Sequence, residues 1–189
     1  MRWVEEFTRP PVPLANTAGT VGYSLWQKSL DGRWGNGFYN DWRGQYFSEL
    51  HPAALEILRD YVSRLESPWT DIKITHLEGA VSRIAETATA YGNRGARFSL
   101  VIQARWERNE ESAVQIAWAK ELQDRLAPYA TGGAYANFLA ADESHRVSAA
   151  HGPENYHRLQ ELKSKYDPGN AFRANPNVPP TQRKPADAA

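Results

Sequence analysis

Residues 97–107 read RFSLVIQARWE, and the alternation along them decides the fold. Phe98, Leu100, Ile102, Ala104 and Trp106 fall on one side of an extended chain, and Ser99, Val101, Gln103 and Arg105 on the other, because successive strand side chains point to opposite faces. Working outward, Phe38 to Tyr46 is an aromatic-rich strand after a Gly-Asn-Gly turn, and Asp71 to Leu77 carries the β-branched Ile72, Ile74 and Thr75. Ala134 to Leu139 is a fourth candidate strand. Three helices are interleaved with these. Pro52 stands where a first-turn proline is tolerated, and Leu55, Leu58, Val62 and Leu65 follow at helical spacing until Ser67-Pro68. A second helix starts near Asn109, with Glu110 and Glu111 favourable to its dipole and Val114, Trp118, Leu122, Leu126 and Tyr129 as its stripe. The third runs from Pro153 to Lys165 with Tyr156, Leu159 and Leu162 inward, and Pro168 stops it. The pattern predicts an α+β fold, a largely antiparallel sheet with helices packed on one face. The mostly polar second face of the 97–107 strand would then be free to meet a ligand or another domain.

The chain has 189 residues, 41% hydrophobic and 23% charged, which suits one globular domain. We expect residues 1–17 to be a helix end at Trp3 to Phe7 with a Pro-rich connector, 18–178 the single folded domain, and 179–189 a mobile tail. Twenty-two Lys and Arg cancel twenty-two Asp and Glu, so no single-sign field favours nucleic acid or an anionic membrane. The absence of cysteine excludes disulfides, thiolate nucleophiles and Cys-ligated metals. No apolar run approaches the ~20 residues of a membrane span. The opening MRWVEEFTRP has no apolar signal core, so the chain is expected in the cytoplasm.

Neither a P-loop nor GxGxxG occurs, so the usual phosphate cradles are missing, and there is no GxSxG elbow. His51, His76, His145, His151 and His157 show no metal-ligand spacing, and no metal is expected. His76, at a strand end near Glu78, reads either as a hydrogen-bonded strand-end histidine or as a general base. Trp34, Phe38, Tyr39, Trp42 and Tyr46 cluster around the early strand; Phe38, Trp42 and Tyr46 are separated by even steps while Tyr39 is not, so they divide between faces. One face is core. The other offers aromatic surface for a flat or sugar-like ligand, and Tyr39, Trp42, His76 and Arg105 are the expected substrate-binding residues.

Three longer stretches are more specific: residues 75–106 (THLEGAVSRIAETATAYGNRGARFSLVIQARW), 131–142 (TGGAYANFLAAD) and 156–180 (YHRLQELKSKYDPGNAFRANPNVPP). Together with FYNDWRGQYFSEL at 38–50 they resemble the C-terminal half of the berberine-bridge-enzyme-like FAD-linked oxidases, within the vanillyl-alcohol-oxidase superfamily. That family's strand ending in Gly-Gly-Ala reads Glu78-Gly79-Ala80 here, its later Arg is Arg94, and its Tyr-x-Asn is Tyr135-Ala136-Asn137. Its closing KxxYDPxNxFRxNxxIPP spans Lys163 to Pro180, with Val178 in the Ile position.

The resemblance implies the substrate-binding, flavin-covering half of an FAD-dependent oxidoreductase, acting on a small organic alcohol or similar substrate. An FAD-binding domain or separate FAD-binding chain would be its partner, and FAD would not be held tightly by this chain alone. By the same resemblance Tyr135 approaches the flavin and helps activate a substrate hydroxyl. A phenol, with its pKa of about 10, must be shifted or partnered to act as a base near neutrality. Asn137, two residues on along the same strand, and Asn170, in the turn of YDPxNxF, are the implied cofactor contacts; Asn170 reads equally as a turn residue after a helix. The tyrosine that often follows the Asn is Phe138, so that hydroxyl is absent. The family's flavin-facing polar residue on the 97–107 strand falls at Val101 when anchored on Trp106, with Gln103 the neighbouring polar choice; anchoring on Arg94 shifts the alignment by one. Gln103 is therefore the second catalytic candidate. Glu78 reads as a site acid or as a solvated turn residue. The rival expectation is a non-catalytic module, a stand-alone domain that binds a small ligand or pairs with itself as a homodimer through its sheet face.

Overall fold

The computed structural model describes residues 19–29, 31, 35–174 and 176–181. The chain divides into two units, Met1–Gly37 and Phe38–Ala189. The expected helix end at Trp3 to Phe7, the connector Pro10 to Thr17, Trp34 and most of the expected tail lie outside the described residues. In the first unit the described residues form one short helix, α1 (Tyr23–Lys28), whose C-terminus is closed by the Ser29 hydroxyl donating to the Trp26 carbonyl at 2.6 Å.

The second unit is built on a three-stranded antiparallel sheet of β1 (Tyr39–Phe47), β2 (Asp71–His76) and β3 (Phe98–Trp106) in the order β1-β3-β2. The strand that decided the reading is the central one. Residues directly opposite in an antiparallel ladder share a face. Phe98, Leu100, Ile102, Ala104 and Trp106 therefore stand with Phe47, Gln45, Arg43, Asp41 and Tyr39 of β1 and with His76, Ile74 and Ile72 of β2. Two helices cover this face, α2 (Pro52–Ser63) and α3 (Ser112–Leu126), and the core closes through Phe47, Leu58, Tyr61, Leu100, Ile102, Trp106, Leu122 and Leu126. His51 starts α2, its Nδ1 accepting from the Ala53 amide at 3.2 Å. Two further helices, α4 (Val147–His151) and α5 (Pro153–Tyr166), follow the 127–146 segment. The expected α+β class with an antiparallel sheet is what the chain adopts.

Several local expectations are overturned. On α2 the buried residues are Ala54, Leu58 and Tyr61, whereas Leu55 and Val62 are 44% and 49% exposed. Two apolar stripes share Leu58, and the one that buries the Tyr61 ring beside a small alanine wins the sheet. On α3 the buried face is Gln115, Ala119, Leu122, Gln123 and Leu126, and Val114 stays outside. That face admits Gln123 because it answers polar groups presented by Arg43 and Gln45 of β1. Asn109 to Glu111 form a short 3₁₀ turn before α3 begins at Ser112. Leu162 of α5 is exposed.

The predicted strand at Ala134 to Leu139 does not form. Tyr135 is extended, then Ala136–Phe138 make a 3₁₀ turn. The carbonyls that a ladder would use are taken by side chains: Asn93 Nδ2 donates to Ala134 O at 3.2 Å, and Arg146 Nη2 to Gly133 O at 3.2 Å. This segment instead shields the free edge of β1, where the Thr131 amide donates to Tyr46 O at 2.8 Å and Arg146 Nη2 to Gly44 O at 3.4 Å. An exposed strand edge is thereby given partners without a fourth strand.

Candidate functional site

The second sheet face carries Asn40, Trp42, Gly44 and Tyr46 from β1, Ser99, Val101, Gln103 and Arg105 from β3, and Asp71, Lys73 and Thr75 from β2. It is not open along its length, as the alternation had suggested. Val101, Gln103 and Arg105 are only 3%, 2% and 2% exposed, while the exposed residues lie around them: Lys73 and Thr75 on one flank, Asn40 on β1, and Asn137 at the Tyr135 to Asn137 corner. Arg105 is held from several sides: its guanidinium lies 4.4 Å from the Phe38 ring centre, and its Nε donates to Asn40 Oδ1 at 3.1 Å. Its carbonyl accepts from Ser67 and Thr70 hydroxyls.

At the other flank an aromatic corner is assembled from distant segments. Trp42 packs on Phe138 with ring centres 5.5 Å apart, and Phe138 meets Tyr135 edge-on at 5.0 Å. Tyr91 stands edge-on to both Tyr46 and Tyr135, at 6.3 and 6.4 Å. Such edge-to-face pairs fix ring orientation as well as bury area. Tyr46 is buried, and burial first, then the Tyr91 hydroxyl, pushes its own hydroxyl far above the ordinary phenol range. Tyr46 is therefore a neutral wall and not a base. Tyr135 sits half-buried at the rim, and its Oη accepts a hydrogen bond from Asn137 Nδ2 at 3.0 Å. The two residues meet even though they are not on a strand; the 3₁₀ turn folds Asn137 back onto the phenol.

The predicted site residues separate accordingly. Tyr135, Asn137, Trp42 and Phe138 converge at the corner, and Gln103 and Arg105 share the face, with Gln103 directly opposite Trp42 and Asp71 in the ladder. Gln103 Oε1 is buried and has no hydrogen-bond donor among the described residues. Tyr39 and His76 lie on the opposite, helix-covered face: Tyr39 stacks on Trp106 at 6.2 Å, and His76 packs beside Phe98 at 5.2 Å. The parity that divided the early aromatics placed Tyr39 correctly apart from Trp42, so these two do not line one cavity.

Glu78 is exposed and accepts from Arg97 Nε at 2.8 Å, with His76 Nε2 at 3.4 Å; Arg97 first, and then His76, holds its carboxyl below the usual range. It is a paired turn residue. Arg94 reaches Val81 O at 3.3 Å and the Thr89 hydroxyl at 2.8 Å, tying down the loop between β2 and β3. Asn170 takes the left-handed conformation, φ 50°, in the turn after α5. That turn is organised by Asp167, which pairs with Lys163 at 2.5 Å and accepts from the Ala171 and Phe172 amides at 2.8 and 3.0 Å. The residues missed by sequence reasoning are Tyr91 and Asn93, whose only signal was a Tyr-Gly-Asn run in a loop. Among the described residues no cluster of His, Asp and Glu could hold a metal ion, and no helix is long and apolar enough to cross a membrane.

The family described as "Berberine and berberine like" matches residues 134–179, which run from the aromatic corner through α5 and the Asp167 turn. An FAD-linked oxidoreductase of Dictyostelium discoideum is 24% identical over 182 residues, covering 95% of this chain and 39% of that protein. Berberine bridge enzyme-like 24 of Arabidopsis thaliana is 31% identical over 134 residues, covering 61% of this chain and 25% of its own. The chain thus spans about two fifths or less of these curated relatives. Among solved structures, BBE-like 28 of Arabidopsis thaliana superposes with a TM-score of 0.70 at 20% identity, over 78% of this chain and 35% of that one. Berberine bridge enzyme from Eschscholzia californica does so at 0.66 and 18%, over 76% of this chain and 33% of that one. These likenesses show the fold, and the segment that matches the berberine and berberine-like family carries the Tyr-x-Asn corner.

Proposed function

We propose that the chain is the substrate-binding, flavin-covering half of an FAD-dependent oxidoreductase that oxidises a small organic alcohol or similar substrate. The observation that carries this reading is the Asn137 Nδ2 to Tyr135 Oη hydrogen bond at 3.0 Å, made at an accessible corner walled by Trp42, Phe138 and Tyr91. It presents one polar, proton-handling group on an apolar aromatic seat, the arrangement that binds and orients a small partly apolar molecule.

The residues present fit the ring end of FAD. Trp42 and Phe138 offer flat apolar surface, Asn137 an exposed amide, and Gln103 Oε1 a buried acceptor with no donor among the described residues. Nothing in the sequence resembles a Gly-rich pyrophosphate cradle, so the rest of the cofactor requires an FAD-binding domain or partner chain. Bound FAD would supply the two-electron acceptor. This chain's own residues would do the remaining work. Tyr135 Oη, as the phenolate that the Asn137 amide steadies by donating to it, takes the proton from the substrate hydroxyl as the carbinol carbon gives up its hydride to that acceptor, leaving a carbonyl product and a neutral phenol, and Trp42 with Phe138 excludes water from one side. Arg105 and Asn40 stiffen the face behind them. Asn170 holds the turn after α5 and is the second proposed cofactor contact.

The test has two parts. The purified chain is mixed with FAD, the excess is removed, and the visible flavin absorption is read. Loss of colour is expected, and stoichiometric retention overturns the need for a partner. In the FAD-loaded enzyme assembled with its FAD-binding half, Tyr135→Phe is expected to lower kcat about 100-fold or more with little change in KM, the size of a lost acid–base group. Unchanged turnover removes Tyr135 from the chemistry.

A further inference from the structure

The geometry points to Asn93 as the positioning residue that sets the Tyr135 phenol in place, a role that rests on the reading of Tyr135 above. Asn93 lies in the loop between β2 and β3, some forty residues before the corner it serves. Its side-chain amide Nδ2 faces three backbone carbonyls: Ala134 O at 3.2 Å, Ala149 O at 3.2 Å and Ala150 O at 3.0 Å. An amide nitrogen has two hydrogens, so one of the three contacts is shared, and every donor this group has is spent on backbone. One carbonyl belongs to the residue immediately before Tyr135. The other two belong to α4, at the far side of the 136–146 turn. A single side chain thus fastens both ends of the segment that carries Tyr135, Asn137 and Phe138.

The close approach is built into the neighbouring sequence. A Cβ on Gly133 would overlap Asn93 Oδ1 and Cγ, so Gly133 is the residue that lets the chain run against the amide. On the other side Gly92 lies against the His151 carbonyl so tightly that a Cβ there would collide with backbone atoms. Between them, the same loop supplies Tyr91, whose ring stands edge-on to Tyr135 and whose hydroxyl donates to Asn93 O at 3.4 Å. Tyr91, Gly92 and Asn93 therefore hold Tyr135 through its ring, through the packing of α4 and through its preceding peptide. Because Tyr135 has no strand ladder to set it, these contacts, with Arg146 on Gly133 O, take the place of one. A phenol displaced by about an ångström no longer meets the reacting atom, and such a shift alone costs on the order of 100-fold in rate.

The test uses the chain with ¹³Cζ-labelled tyrosine, the Tyr135 resonance being identified as the one lost in Tyr135→Phe. In Asn93→Ala and in the isosteric Asn93→Asp, which cannot donate when ionised, the Tyr135 signal is expected to move or broaden while those of Tyr39, Tyr61 and Tyr156 stay in place. Asn93→Ser, which keeps one donor, should bring the Tyr135 signal part of the way back. In the FAD-loaded enzyme Asn93→Ala should lower kcat with KM nearly unchanged, and should add little to Tyr135→Phe. An unmoved Tyr135 signal in a folded Asn93 variant overturns the inference, as does movement of all tyrosine signals alike. If Tyr135→Phe leaves kcat unchanged but Asn93→Ala displaces the Tyr135 resonance selectively, the positioning role stands and the catalytic reading of Tyr135 fails. Unfolding of both Asn93→Ala and Asn93→Asp would assign the amide to stability and overturn the proposal.

Discussion

A single phenol at the rim of the sheet shows how little of a site resides in its own residue. Tyr135 is half-buried, touches Phe138 and Tyr91 through its ring, and accepts from Asn137. Its place is decided by glycines and an asparagine elsewhere in the chain. At this scale Gly92→Ala is the sharpest substitution, since the new methyl would meet the His151 carbonyl, which is backbone and cannot rotate away. The expected cost is about 1–3 kcal/mol, the range for forcing atoms into a filled space, read by urea denaturation. Gly169→Ala, where a Cβ meets nothing within 4 Å, serves as the control and should change stability by about 0.5 kcal/mol or less. Equal effects at the two positions would contradict the close approach at Gly92.

At the scale of elements, the helix-covered face of β1 carries a buried ion cluster. Arg43, 2% exposed, pairs with Asp41 at 2.7 Å and with Asp142 at 3.2 Å, and its Nη1 reaches Gln123 Oε1 at 3.4 Å. Gln123 donates in turn to Glu143 at 2.7 Å, and Glu143 accepts from Arg146 and from the Ala140 amide. The cluster lashes β1 to α3 and to the 141–146 turn, the same turn whose Arg146 caps the free edge of β1. Burial raises the Asp41 pKa although Arg43 works against it, so that carboxylate is costly to bury and depends on its partner. Arg43→Met should therefore cost about 3 kcal/mol or more, because the buried Asp41 carboxylate loses its cation, with the half-exposed Asp142 adding little. Arg59→Met, at a surface pair, should cost about 1 kcal/mol or less. Denaturant midpoints of the two variants check the difference. One helix face misread from sequence has the same origin: Gln123 turns inward because Arg43 and Gln45 of β1 present polar groups to it, which no pattern within α3 reveals.

For the whole molecule, charge determines how the fold answers acid. Asp142 is pushed up by burial, but Arg43, then Lys120, outweighs this and leaves it below the ordinary carboxylate value. Lys163, with the Ala171 amide, lowers Asp167, and Arg97, aided by His76, lowers Glu78. A carboxylate lowered in the folded state is protonated more readily in the unfolded chain. The unfolded state then binds more protons as pH falls past the ordinary value of 3.8, and stability drains away below it. Asp41, raised, acts in the opposite sense, but alone against three. The melting temperature is expected to fall steadily between about pH 5 and pH 2; a flat profile measured by circular dichroism would contradict the balance described.

The amino-acid order by itself determined the central strand, its two faces, the antiparallel α+β class and the resemblance to the berberine-bridge-enzyme-like oxidases, because period-two alternation and short spaced motifs are local properties of the chain. It also separated Tyr39 from Trp42 by parity alone. It did not determine which apolar stripe of α2 turns inward, that the second sheet face is closed at Gln103 and Arg105, or that Tyr135 and Asn137 meet in a turn and not on a strand. Those outcomes depend on partners far along the chain, such as Asn93 on Ala134 O and Arg146 on Gly44 O and Gly133 O. A backbone carbonyl chooses between a ladder and a side-chain donor only once the fold has brought both within reach, and that choice belongs to the tertiary structure.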